Sequence, residues 1–130
     1  MAGPAQAGLF IYAKDIDRIA RFYELVAGMV RLHVTAELMV LESVDIQMLV
    51  HQIPAHVAAD VVISSPPIKR ENTALKFFFT VPSISKARAL AVRLGGDVFD
   101  ECWQGPGFVV CNAMDPEGNV FQVRESSSRS

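Results

Sequence analysis

The sequence predicts an α+β fold built from two tandem βαβββ modules. Three observations point to it. The chain repeats its own pattern at an offset of 68 residues. Each repeat carries one amphipathic helical stretch behind a short β-forming run, and three strand-like segments follow each helix.

Gly8-Leu9-Phe10-Ile11-Tyr12 falls on Lys76-Phe77-Phe78-Phe79-Thr80, both short runs of β-formers. Asp15-Ile16-Asp17-Arg18 falls on Ser83-Ile84-Ser85-Lys86, each opening a helical pattern with a capping side chain. Phe22 meets Leu90, and Ala27-Gly28 meets Gly95-Gly96, where each helix should stop. In the first helix Ile16, Ile19, Ala20, Tyr23 and Val26 recur at helical spacing, with Phe22 beside them and Asp17, Arg18, Arg21 and Glu24 opposite. The second, about Ser85 to Leu94, offers Ala87, Leu90, Ala91 and Leu94. Strands are expected over Met29–His33, Ala36–Leu41 and Val44–Gln52, then over Asp97–Glu101, Gly107–Met114 and Asn119–Glu125. Asp115-Pro116-Glu117-Gly118 suits a type I turn and predicts a hairpin between the last two.

Module one is expected at about 7–52, a linker at 53–72, module two at about 73–125 and a loose tail at 126–130. Pro54 to Asp60 suits a short helix, and Ser64-Ser65-Pro66-Pro67 is a linker signal. One module alone would leave an open sheet edge and a small core, so residues 1–130 are expected to form a single domain.

Composition narrows the function classes. The chain has 130 residues, 51% hydrophobic and 20% charged, with a net charge of −2. A chain of this length buries roughly two-thirds of its extended surface without staples. The apolar excess suggests surface buried in a partner subunit or around an apolar ligand. Its twelve basic residues are scattered, so no nucleic-acid footprint is expected. No apolar run approaches the ~20 residues of a spanning helix, and the start shows no secretory signal. A cytoplasmic protein without membrane contact is expected. Cys102 and Cys111 show no CxxC spacing and no partner histidines, which predicts reduced thiols rather than a zinc site.

The two modules resemble the vicinal oxygen chelate superfamily, which includes glyoxalase I, bleomycin-resistance proteins and extradiol dioxygenases. The resemblance spans residues 7 to 125. It rests on Asp15-Ile16-Asp17 leading to Phe22-Tyr23, and on Asp115-Pro116-Glu117-Gly118-Asn119 leading into Val120-Phe121-Gln122-Val123. It implies paired modules whose sheets curl into a half-barrel around a pocket, and a homodimer. Metal-dependent members bind a divalent ion through four inward side chains, from the first and last strands of each module, mostly His and Glu and sometimes Gln. The corresponding slots here are Gly8, Lys76, Gln47 and Gln122. Glycine offers no side-chain ligand, protonated lysine repels a cation, and neutral amides are weak ligands alone. No metal or other cofactor is therefore expected.

Strand alternation places Phe10 and Tyr12 with Gly8, and Phe78 and Thr80 with Lys76. Gln47, Leu49 and His51 share a face, as do Val120, Gln122 and Arg124. The candidate ligand-binding residues are Phe10, Tyr12, Gln47, Lys76, Phe78, Trp103 and Gln122; no catalytic residue is identified. Lys76 is either an anion or acid/base group or a snorkelling rim lysine. Gln47 and Gln122 either fix a ligand or satisfy each other and nearby backbone. Trp103, in the loop Cys102 to Gly107, is either a lid or a dimer anchor. His33, His51 and His56 read as ordinary histidines. The leading function is metal-independent binding of a small organic molecule. Its rivals are a metal-dependent glyoxalase-like lyase or isomerase, using Gln47, Gln122 and His51 after a register shift, and a dimeric interaction module with a filled pocket.

Overall fold

The computed structural model describes residues 5–127. The chain divides into two compact units between residues 62 and 63.

The first unit runs β1 (Gly8–Ala13), α1 (Ile16–Val26), β2 (Val30–Val34), β3 (Leu38–Glu42), β4 (Gln47–Gln52) and the short α2 (Ala55–Ala58). Its sheet has the order β1-β4-β3-β2, with β1 and β4 parallel and the other pairs antiparallel. The Asp15 carboxylate accepts from the Arg18 amide at 3.1 Å and fixes the start of α1, a cap whose loss costs about 1 kcal/mol. Ile16, Ile19, Ala20, Phe22, Tyr23 and Val26 are buried on one side of the helix. Ile11, Ala13, Met39, Leu41, Met48 and Val50 are the buried residues of the sheet and meet that side. Arg31 ties β2 to the helix through a two-pronged contact with Glu24, at 2.6 and 3.2 Å. That hydrogen-bonded carboxylate raises the Arg31 pKa above its ordinary value.

The second unit runs β5 (Phe78–Thr80), α3 (Ile84–Arg93), β6 (Asp97–Gly105), β7 (Phe108–Met114) and β8 (Val120–Ser126), ordered β5-β8-β7-β6. Again the first and last strands are parallel and the rest antiparallel. The Ser83 hydroxyl accepts from the Lys86 amide at 3.1 Å, and Glu125 accepts from the Ile84 amide at 2.7 Å. Ile84, Ala87 and Ala91 are the buried residues of α3; the expected Leu90 and Leu94 are half-buried. The core is aromatic, with Phe77 stacked on Phe121 at 5.5 Å and Phe79 edge-on to both.

Several expectations need correction. β6 does not stop at Glu101. A register shift between Val98 and Cys102 absorbs the intervening residues, and pairing then resumes through Gly105. Arg88 braces this bulge by donating to the carbonyls of Val98 and Phe99. The resumed register sets Cys102 opposite Cys111, with a Cα separation of 4.6 Å, and the two form a disulfide rather than free thiols. Trp103 therefore lies in a strand, paired with Val110, and not on a mobile loop.

The linker is not one loose stretch either. Residues 54–62 stay with the first unit, where the Lys14 ammonium donates to the Val61 carbonyl. Residues 63–76 belong to the second, where the Arg70 amide donates to the Gly118 carbonyl at 2.8 Å. The tail also begins later than expected: Ser126 still pairs with Phe108, while 128–130 lie outside the described residues. None of the described helices is long and apolar enough to cross a membrane.

The expected hairpin turn is present and strongly built. Buried Asp115 accepts from the amides of Glu117 and Asn119 and from the Asn119 side chain, at 2.8 to 3.1 Å. The Gly118 amide closes the turn onto the Asp115 carbonyl at 2.9 Å. Gly118 has φ +86°, and a Cβ there would stand 2.1 Å from the Ile68 carbonyl oxygen. Gly107 shares the left-handed backbone, φ +80°, but has open space around it. Gly107→Ala should therefore cost only the ~1–2 kcal/mol of a left-handed alanine. Gly118→Ala should cost clearly more, because backbone must also move. Thermal unfolding of the two variants checks this, and equal losses would refute the packing argument.

Candidate functional site

Each sheet is covered by its helix on one side, so alternation along the strands sends a second set of side chains to the opposite, helix-free face. In the first unit Gly8, Gln47 and Glu42 form one row across the strands. Phe10, Leu49 and Val40 form the next, and Tyr12, His51 and Leu38 the third. Phe10, Tyr12 and His51 make a ring cluster: Phe10 lies 5.0 Å from Tyr12, and His51 lies 5.8 Å from each. Although ring contacts bring them together, Phe10 and Tyr12 remain 49% and 56% exposed. His51 Nδ1 sits 2.8 Å from the Gln52 carbonyl. A carbonyl only accepts, so Nδ1 carries a proton and donates it there. Gln47 donates to Glu42 at 3.5 Å, so its amide has a carboxylate beside it.

In the second unit Phe78, Gln122 and Asn112 form one row, and Thr80, Arg124, Val110 and Trp103 the next. Lys76 precedes β5 and reaches the same face, donating to the Asn112 side-chain oxygen at 3.4 Å. It is exposed. Beside it lies a cleft of about 410 Å³, lined by residues 69–71 and 73–76 together with Phe99, Asn112 and Val120. Lys69 in that cleft pairs with Glu71 at 3.5 Å and sits 4.8 Å over the Phe99 ring.

The structure thus groups Phe10, Tyr12 and Gln47 on the face of one sheet, and Lys76, Phe78, Trp103 and Gln122 on the face of the other. Sequence reasoning gave Arg124 a place on this face but no role. Its guanidinium carbon lies 3.7 Å over the Phe78 ring and 4.2 Å over the Phe108 ring. The available signal was its position two residues beyond Gln122 in an alternating strand; the contact with Phe108 had none.

A divalent ion held at the four slots does not fit these residues. Gly8 and Gln47 are direct cross-strand partners, but Gln122 faces Phe78 rather than Lys76. The set comprises a bare Cα, an ammonium and two neutral amides, which supply no anionic or imidazole donor. Among the described residues, no three His, Cys, Asp or Glu side chains group so as to hold a metal ion.

Comparisons with known proteins agree with this architecture. The chain aligns with a glyoxalase/bleomycin resistance protein/dioxygenase family enzyme from Burkholderia phytofirmans PsJN at TM-score 0.69 and 18% identity, covering 95% of this chain and 99% of that one. The fosfomycin resistance protein FosX from Mesorhizobium loti aligns at TM-score 0.62 and 14% identity, covering 98% and 95%. FosX from Listeria monocytogenes aligns at 0.65 and 10% identity, covering 98% and 96%. At these identities the likeness shows the fold alone. No curated protein matches the sequence. The model of the glyoxalase-like domain, however, matches residues 8–124. Nearly the whole chain is spanned by that match, and the protein belongs to the glyoxalase-like domain family of the vicinal oxygen chelate group.

Proposed function

We propose that this protein binds a small, partly aromatic organic molecule without a metal ion, sequestering it as bleomycin-resistance-like proteins do. The observation that carries this reading is the exchange of side chains on the helix-free faces. Where the metal-dependent pattern calls for anionic or imidazole donors, this chain has Gly8, Gln47, Lys76 and Gln122, and on the first sheet half-exposed Phe10 and Tyr12 follow Gly8 along the same face. Rings that remain open to water in a folded chain gain by covering a flat ligand. Amides at Gln47 and Gln122 add orientation through paired donors and acceptors. The fosfomycin-resistance neighbours support a small-molecule role on this fold. The setting we propose is cytoplasmic.

Elemental analysis of the purified protein should find far less than one divalent ion per chain, and nickel or zinc should leave its melting temperature unchanged. Stoichiometric metal would overturn the reading in favour of the lyase or isomerase alternative. A screen of aromatic metabolites in chelator should give hits that raise the melting temperature in proportion to the logarithm of ligand concentration. Phe10→Ala and Tyr12→Ala should each weaken such hits about three- to tenfold, the worth of one aromatic pair.

The protein is further proposed to be a homodimer. Val30, Leu32 and Val34 are half or more exposed on β2, and β2 ends the order of its sheet with no strand on its outer side. Such an edge invites pairing with a second copy. Leu32→Glu, an exposed change that spares the core, should shift the sedimentation coefficient toward the monomer. A monomeric parent protein would refute the proposal.

A further inference from the structure

We propose that the helix-free face of the second sheet holds an anion-binding subsite centred on Arg124, suited to a carboxylate or phosphate carried on a flat apolar body. The inference rests on the reading that this face receives a ligand, and it names the chemical class of that ligand.

Arg124 lies in β8, between β5 and β7, so it projects from the middle of the sheet rather than from its rim. Phe78 and Phe108 cover its guanidinium at 3.7 and 4.2 Å. Phe108 is itself seated against Gly105, where a Cβ would stand 2.3 Å from the ring. These rings hold the guanidinium between them. The Nε–H is buried and has no hydrogen-bond partner. No ion pair joins Arg124 to any described acidic residue. Its neighbour Glu125 is turned to the amide of Ile84 at the start of α3. The other members of its row are Thr80, Val110 and Trp103, and the adjoining row is Phe78, Gln122 and Asn112. None of them is acidic.

A half-buried guanidinium with an unpartnered Nε–H and no counter-charge is an unfinished ion pair. The groups that complete it are planar or tetrahedral and oxygen-rich, since the parallel N–H donors of a guanidinium match carboxylate and phosphate geometry. Trp103 stands two strands away across Val110, about 10 Å by strand spacing, and is exposed. That span fits one or two fused rings lying over Val110 with the acid directed to Arg124. Two of the three cations lining the nearby cleft are already engaged: Lys69 pairs with Glu71, and Lys76 donates to Asn112.

The test compares 2-naphthoate with 2-naphthamide, which share a shape and differ in charge, by calorimetry on the full chain. The parent protein should bind the acid about tenfold or more tightly than the amide, the worth of one charge-assisted hydrogen bond. Arg124→Gln should abolish that preference while amide binding persists, Arg124→Lys should keep part of it, and Lys76→Met should retain most of it. In the parent protein the Arg124 Nε–Hε resonance should shift with the acid and not with the amide, a readout independent of any variant's folding. Persistence of the preference in a folded Arg124→Gln protein overturns the subsite, as does its loss in Lys76→Met alone or an unmoved resonance. Equal binding of both probes to the parent overturns the subsite but leaves aromatic binding standing. Binding of neither overturns both.

Discussion

In each module the last strand lies beside the first and parallel to it, and everything on the open face follows from that register. Gly8 meets Gln47, and Phe78 meets Gln122. Because successive side chains point to opposite sides, a slip of one residue would exchange the buried set Met48 and Val50 for Gln47 and Leu49. The aliphatic side under α1 therefore holds the ring cluster of Phe10, Tyr12 and His51 outward. Likewise Phe121 and Val123, fully buried, hold Gln122 and Arg124 outward. Core packing here is what positions the chemistry.

Much of this was written locally in the sequence. Helices α1 and α3 begin at their capping side chains, Asp15 and Ser83, and the buried stripe of α1 is the one its periodicity gives. The turn at Asp115 needs only its own five residues. What sequence could not show depends on pairing between distant segments. The bulge in β6 is stabilised by Arg88, ten residues away on α3, and without it neither the Cys102–Cys111 bond nor the strand position of Trp103 can be deduced. The internal repeat also misleads at one point. An offset of 68 maps Gly8 onto Lys76, yet the partners of the last strands show that Phe78, not Lys76, stands across from Gln122. The intervening turns differ in length between modules, so one offset cannot serve both ends. Arg124 was placed on the correct face by alternation alone, but its two ring contacts join three different strands.

The electrostatic character of the two open faces differs. On the first sheet the amide of Gln47 lies against the carboxylate of Glu42, and His51 is committed to a backbone carbonyl through one nitrogen. That face combines aromatic area with neutral or mildly acidic polarity. On the second, Lys76 and Arg124 flank Gln122 and Asn112, so the same family scaffold there carries positive charge among rings. A fold shared by lyases, dioxygenases and binding proteins is distinguished by such local substitutions, not by its strand order.

The clasp between Ile68 to Arg70 and the Gly118 turn has a consequence for how the chain can be divided. Sequence similarity alone would cut the second module at about residue 73, just ahead of its first strand. A fragment cut there would leave the Gly118 carbonyl without the Arg70 amide and remove the Ile68 backbone that now lies against Gly118. A second-module segment that keeps this strap therefore has to start at or before Ile68, well upstream of the first strand.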